Sequence, residues 1–146
     1  MNVTLGNSRI YTSFFDNISS IKQIDPNAVF VAISGGIPDG YSEKWYKKLA
    51  PRWNWWVEWH EKFKDNYETN ESKSWYVKHY NDTVLSKRNP IEVLNDLLNF
   101  RNTSNDNIYL LCFEDTTKFC HRHLIAQWLN ENVLDGSNYI TEKTIS

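Results

Sequence analysis

The chain has 146 residues, a net charge of −2 and an aromatic content of 15%. This length predicts a single domain, residues 1–146, that is large enough to bury a core. The charge balance gives no bulk attraction to nucleic acid or to anionic membranes. No apolar run approaches the roughly 18 residues of a membrane span, and residues 1–4 lack the features of a signal peptide. We therefore expect a cytoplasmic protein with no membrane partner, of unknown oligomeric state.

Two strands and a weak helix are predicted in the first third of the chain. Residues 9–13 alternate in polarity and predict a short strand, and residues 16–24 carry isoleucines at a spacing of three, which predicts a weak helix. Residues 28–33 are continuously apolar and rich in β-branched side chains. Such a run is typical of a strand that is covered on both faces.

A glycine loop, residues 34–40, follows this buried strand and contains Gly35, Gly36 and Gly40. Glycines at such a position permit positive φ angles and the close approach of a ligand to the backbone. A tight turn without a ligand is the alternative. The loop contains neither the dinucleotide-binding glycine pattern nor the lysine of a P-loop.

Helices dominate the middle of the chain. Pro51 suits a first helical position, and the aromatic helix that follows carries tryptophans on two adjoining faces. Seven tryptophans exceed what a core of this size needs, so we expect some of them to line a groove. Residues 64–73 are interpreted as a loop, and residues 75–85 and 90–98 as amphipathic helices. The predicted core spans about 9–134, and residues 139–146 are interpreted as a short edge strand or a loose tail.

The segment from 108 to 130 predicts a buried strand, a polar connection and a final helix. Cys120 falls in or just before the first turn of that helix, where unpaired amide groups carry partial positive charge. This position lowers the pKa of a thiol and attracts anions, and Arg122 offers a bidentate contact to a phosphate or carboxylate. Cys112 and Cys120 could meet in space, but a reducing compartment disfavours a stable disulfide, so we expect two free thiols.

Strands separated by helical segments predict an α/β fold, with a small, mostly parallel sheet flanked by helices. Ligands of such sheets bind beyond the carboxyl ends of the strands. We therefore expect the loops at residues 13–15, 34–40 and 114–122 to meet in one anion-binding pocket.

Several blocks of the chain resemble a family catalogued as domain of unknown function 488. The most specific block runs from Phe119 through Cys120-His121-Arg122 to Leu124, after an apolar strand that ends near Glu114. The runs at residues 10–15, 29–38 and 49–51 are also similar, so the resemblance covers roughly 9–134. It implies this fold and a pocket at the Cys-His-Arg block, but no reaction. The first loop has Ser34-Gly35-Gly36 where the resemblance would place a basic residue.

Two classes of function fit these residues. The first is an enzyme that uses Cys120 as nucleophile and Glu114 as general base on a small anionic, nucleotide-like substrate. The second is a non-catalytic module that binds or sequesters a nucleotide. In both cases the predicted ligand-binding residues are Arg122, His121, Ser34, Gly35, Gly36, Tyr11 and Thr12. No motif indicates a cofactor.

Metal and nucleic-acid binding are weaker alternatives. Cys120, His121 and His123 contain metal-ligating groups, but the two histidines would point in different directions on a helix, so no metal site is predicted. Six basic residues interleave with the tryptophans and suit single-strand stacking: Lys44, Lys47, Lys48, Arg52, Lys62 and Lys64. Acidic residues are interspersed among them, and a solvated helix face explains the pattern about as well.

Overall fold

The computed structural model describes residues 5–114, 119–134 and 139–143. The strands of this part of the chain form one sheet: β1 (Ile10–Phe14), β2 (Val29–Ala32), β3 (Lys44–Trp45), β4 (Ile108–Cys112) and β5 (Thr141–Glu142). Their order is β3-β2-β4-β1-β5, and every neighbouring pair is parallel. The predicted α/β fold, a mostly parallel sheet flanked by helices, is confirmed.

Helices cover both faces of this sheet. Helix α1 (Ile18–Ile24) packs on one face, in a small core around Ile21 and Phe30. A larger core on the other face contains residues of α2 (Trp53–Lys62), α3 (Asn70–Thr83), α4 (Pro90–Leu98) and α5 (His121–Asn132). The sheet thus separates a large core from a small one.

The sequence of β2 is continuously apolar because both faces of the strand are buried. Phe30 and Ala32 point to the α1 side, whereas Val29 and Val31 belong to the larger core, so every side chain of the strand is buried. The predicted interval of residues 28–33 exceeds β2 by one residue at each end. Ile33 continues the alternation and is completely buried in the larger core.

Two elements differ from the sequence-based expectation. Strand β3 is only two residues long and pairs with the end of β2, so it carries too little pattern to be predicted. Helix α3 begins at Asn70, inside the predicted loop 64–73. Its first turn is polar and is stabilised by its cap, because the Thr69 hydroxyl accepts a hydrogen bond from the Ser72 amide at 3.2 Å.

The last described segment adds an edge strand to the sheet. Of the two alternatives for residues 139–146, Thr141 and Glu142 form β5, which pairs with Tyr11 and Thr12 of β1. Residues 135–138 and the final residues 144–146 lie outside the described residues. Among the helices described, none has the length and apolar character needed to cross a bilayer.

Candidate active site

A cavity of about 500 Å³ opens beyond the carboxyl ends of β2 and β4, the two central neighbours in the sheet. One side of it is formed by the glycine loop, with Ser34, Gly35 and Gly36, and the other by the β4 end and the α5 start, with Cys112, Glu114, Cys120 and His121. Two of the three predicted loops therefore meet. The third does not line the cavity: Phe15, after β1, is buried in the small core and packs against the Phe113 ring.

The glycine loop approaches the cavity with exposed backbone. The Ser34 hydroxyl donates to the Gly36 carbonyl at 2.5 Å, and the Trp45 indole N–H donates to the Ser34 carbonyl at 2.9 Å. A Cβ atom added at Gly35 or Gly36 would meet nothing within 4 Å. Within this loop only Gly40 has a positive φ, +84°, so Gly35 and Gly36 do not need glycine for their conformation. The backbone at these two positions is therefore open to a ligand.

An aromatic wall closes the cavity on the α2 and α3 side. The wall consists of Trp53, Trp56, Trp59, His60 and Tyr76, and the cavity is also lined by Phe113 and Phe119, next to Cys112 and Cys120 in the chain. Trp53 is 73% exposed and stacks on Trp56, with ring centroids 5.3 Å apart and an interplanar angle of 19°. Such a large exposed indole at the mouth of a cavity offers a flat surface for a planar ring.

Cys120 is the N-cap of α5, as predicted for the start of the final helix. The structure joins it to Cys112 at the end of β4 in a disulfide, which differs from the expectation of two free thiols. The bridge forms because the end of a central strand and the start of the following helix lie side by side. Cys112 and Cys120 are 1% and 5% exposed, and both line the cavity.

His121 has a fixed tautomer that directs one ring nitrogen at Cys120. Its Nε2–H donates to the Ile33 carbonyl at 2.7 Å, and because a carbonyl can only accept, Nδ1 keeps its lone pair. Nδ1 lies 3.6 Å from Cys120 Sγ. Burial lowers the pKa of His121 to about 4, and the nearby Arg122 charge contributes, so the imidazole is neutral. The group that orients this histidine is thus a backbone carbonyl.

Arg122 does not line the cavity. Its guanidinium is completely buried and makes a bidentate ion pair with Glu142 of β5, through Nε at 3.1 Å and Nη2 at 2.9 Å. Nη1 donates to the Glu114 carbonyl at 2.5 Å and to Cys112 Sγ at 3.0 Å. The carboxylate that Arg122 binds in this structure is thus part of the chain itself.

The remaining predicted site residues divide between the cavity and the sheet. Glu114 is exposed and lines the cavity. Thr12 is buried and its hydroxyl donates to the Glu142 carboxylate, while Tyr11 stacks on Tyr109 with centroids 5.1 Å apart. Neither β1 residue lines the cavity.

Several lining residues were not singled out from the sequence. Tyr76 is 4% exposed, and its hydroxyl has no hydrogen-bond partner among the described residues. His60 also borders the cavity, and the Tyr67 hydroxyl donates to the His60 carbonyl and accepts from His60 Nδ1. Only the positions of His60 and Tyr76 on the aromatic helices α2 and α3 could have pointed to them.

These features define an α/β domain with a cysteine–histidine pair in a tryptophan-lined cavity beyond the carboxyl ends of β2 and β4. A family model described as "DUF488-N3a: Active DUF488-N3 subclade" matches residues 26–133, well over half of the chain. The chain belongs to the DUF488 family, as the Cys-His-Arg block predicts. A search of curated proteins and a search of solved structures each gave no match.

Proposed function

We propose that this protein is a cysteine-dependent enzyme that acts on a small nucleotide-like substrate in the cavity between β2 and β4. One observation carries this proposal: Nδ1 of a neutral His121 lies 3.6 Å from Cys120 Sγ at the cavity wall. A nucleophile needs an adjacent base that is itself held in place, and the Ile33 carbonyl holds this one. The description of the matched family model as an active subclade agrees with catalysis.

The disulfide must be reduced before the nucleophile can act. A dithiol reductant supplies two electrons and two protons, and the products are the thiols of Cys112 and Cys120 and an oxidised reductant. His121 Nδ1 then accepts the Cys120 proton as sulfur attacks an electrophilic carbon of the substrate. The imidazolium returns that proton to the leaving group, and water cleaves the carbon–sulfur bond and restores the thiol.

The cavity walls support a substrate with a planar ring and a polar end. Trp53 and Trp56 present a stacked aromatic surface of the kind that binds nucleobases. On the opposite side, the open backbone at Gly35 and Gly36 and the first turn of α5 suit a polar or anionic group. Arg122 enters as a positioning residue, because it holds Cys112, Glu114 and β5 rather than the ligand.

Cys120→Ser is the decisive variant for catalysis. Reduced wild-type protein and variant are incubated with a panel of nucleoside monophosphates, with products detected by chromatography and binding by tryptophan fluorescence. We expect product formation to fall by a factor of about 10³ or more, the scale of losing a nucleophile. Nucleotide affinity should stay within about threefold, because serine keeps the shape of the side chain. Trp128→Phe, which removes one indole outside the cavity lining, is the control for the fluorescence signal.

Two outcomes would contradict this function. Unchanged turnover in Cys120→Ser would remove the nucleophile from the mechanism. Nucleotide binding by the reduced wild-type protein without any product would favour the alternative, a module that binds or sequesters the nucleotide.

A further inference from the structure

Three soft ligand atoms meet at the cavity wall. Cys112 Sγ, Cys120 Sγ and His121 Nδ1 all lie within 4.8 Å of one another, and all three residues are buried. We propose that, once the disulfide is reduced, these atoms bind Zn²⁺ and thereby block the nucleophile. The metal site stands on its own geometry, whereas its inhibitory effect rests on the proposed function. Cys112 completes this set, in place of the His123 that was considered from the sequence.

The spacing of these atoms suits zinc. Zinc–sulfur bonds of about 2.3 Å and zinc–nitrogen bonds of about 2.0 Å place the two ligand atoms of a tetrahedral site about 3.5 Å apart. The observed distance between Cys120 Sγ and His121 Nδ1 is 3.6 Å. The Cα atoms of Cys112 and Cys120 are 7.4 Å apart, wider than the roughly 4.4–6.8 Å usual for disulfides, so the two sulfur atoms can move apart around an ion once their bond is reduced.

The groups that would support these ligands are already present. Nε2–H of His121 donates to the Ile33 carbonyl at 2.7 Å, which is the contact that orients a metal-binding imidazole. Nη1 of Arg122 donates to Cys112 Sγ at 3.0 Å and would stabilise a metal thiolate in the same way. Both supporting groups lie in the protein interior behind the ligand atoms, so the ion would lie on the side that faces the cavity.

Charge balance and ligand type select the ion. Two thiolates neutralise a divalent cation, and the neighbouring Arg122 charge is paired with Glu142 at 2.9 Å, so the buried cluster carries no net charge. Thiolate and imidazole ligands favour Zn²⁺ over Mg²⁺ or Ca²⁺. Three protein ligands leave a fourth position for water from the cavity.

The disulfide and the zinc site exclude each other because they use the same sulfur atoms. Reduction of the Cys112–Cys120 bond by a dithiol consumes two electrons and two protons and gives two thiols. Zn²⁺ then displaces both thiol protons to solvent. Oxidation of the zinc-bound thiolates returns two electrons to an oxidant such as a disulfide and releases the ion.

Cobalt is the probe for this site. Full-length protein is reduced, freed of metal and titrated with Co²⁺ under nitrogen. We expect one Co²⁺ per chain, with sulfur-to-cobalt charge-transfer bands in the near ultraviolet, tetrahedral bands in the visible, and loss of both on addition of Zn²⁺. Cys112→Ser and His121→Asn should each weaken Co²⁺ binding at least tenfold, the lower end of what loss of a second-shell partner costs. His123→Asn, the matched histidine outside the cluster, should bind as wild type does.

The result that would overturn the metal site is the absence of these bands in reduced wild-type protein, or their full retention in both ligand variants. Turnover separates this outcome from failure of the proposed function. Metal-free protein that turns over but binds no Co²⁺ refutes only the zinc site. Protein that binds Co²⁺ through the three ligands but never turns over when metal-free refutes only the enzyme. Turnover that does not fall as Zn²⁺ occupancy rises refutes the inhibitory effect.

Discussion

Gly35 and Gly36 lie at the cavity, but the fold does not require glycine at either position. Neither residue has a positive φ, and neither would clash on gaining a Cβ, so the fold gives no reason for glycine there. Both line the cavity. If the cavity binds a ligand, these positions matter to that ligand alone.

Gly36→Ala is the corresponding test. Alanine restricts the unfolded chain and should stabilise the protein by about 0.4–1 kcal/mol. The added methyl group should weaken nucleotide binding about tenfold, because it occupies space that the ligand uses. Urea unfolding and tryptophan fluorescence give the two quantities.

Gly40→Ala is the matched control, because Gly40 has a φ of +84° and does not line the cavity. We expect it to cost about 1 kcal/mol of stability and to leave nucleotide affinity unchanged. Unaltered binding in Gly36→Ala would exclude the glycine loop from the ligand site.

Prediction at the residue scale was uneven for a physical reason. Cys120 and the glycine loop could be placed beside one another because both follow neighbouring parallel strands. The role of Arg122 could not be predicted in this way. Its carboxylate partner, Glu142, lies on β5, a strand of two residues that is too short to be recognised from its sequence pattern. The orienting group of His121 is a backbone carbonyl, which carries no sequence signal at all.

At the scale of elements, long apolar patterns were predictable and short or polar ones were not. The buried strands β2 and β4 and the helix α5 are confirmed because their patterns reflect burial on one or both faces. The first turn of α3 was assigned to a loop, since only its cap distinguishes it. The hydroxyl of Thr69 accepts from the Ser72 amide, while residues 70, 71 and 74 are exposed.

Thr69→Ala should therefore destabilise the protein by about 1 kcal/mol, the usual cost of removing an N-cap. Ser74→Ala, an exposed position in the same helix, should change stability by less than about 0.5 kcal/mol. Both values come from urea unfolding of the purified variants. Equal stability of Thr69→Ala and wild type would mean that the helix start does not depend on its cap.

At the scale of the whole molecule, Arg122 connects three elements. It belongs to α5, pairs with Glu142 of β5, and contacts Cys112 at the end of β4. Its side chain is completely buried, whereas that of Glu142 is 22% exposed. Breaking a buried pair on one side leaves a charge without compensation, which costs more than removing both partners.

Arg122→Met should lower the free energy of unfolding by about 3 kcal/mol, the scale of an unpaired buried charge. The double variant Arg122→Met/Glu142→Leu should recover part of that loss, because no charge is left behind. Urea unfolding of the two single variants and the double variant gives the coupling energy. If Arg122→Met lowers the free energy of unfolding by less than about 1 kcal/mol, water hydrates the Glu142 carboxylate well enough to replace the ion pair.

The position of β1 in the sheet has a consequence for biosynthesis. In the part of the chain that the structure describes, β1 pairs with β4 and β5, and its partner Ile108 is translated about a hundred residues after Ile10. A nascent chain on the ribosome therefore carries β1 with both hydrogen-bonding edges uncovered until β4 has emerged. Pairing of β1 on both edges must wait until β4 and β5 have been made. A chaperone that shields extended apolar segments would be most useful to this protein during that interval.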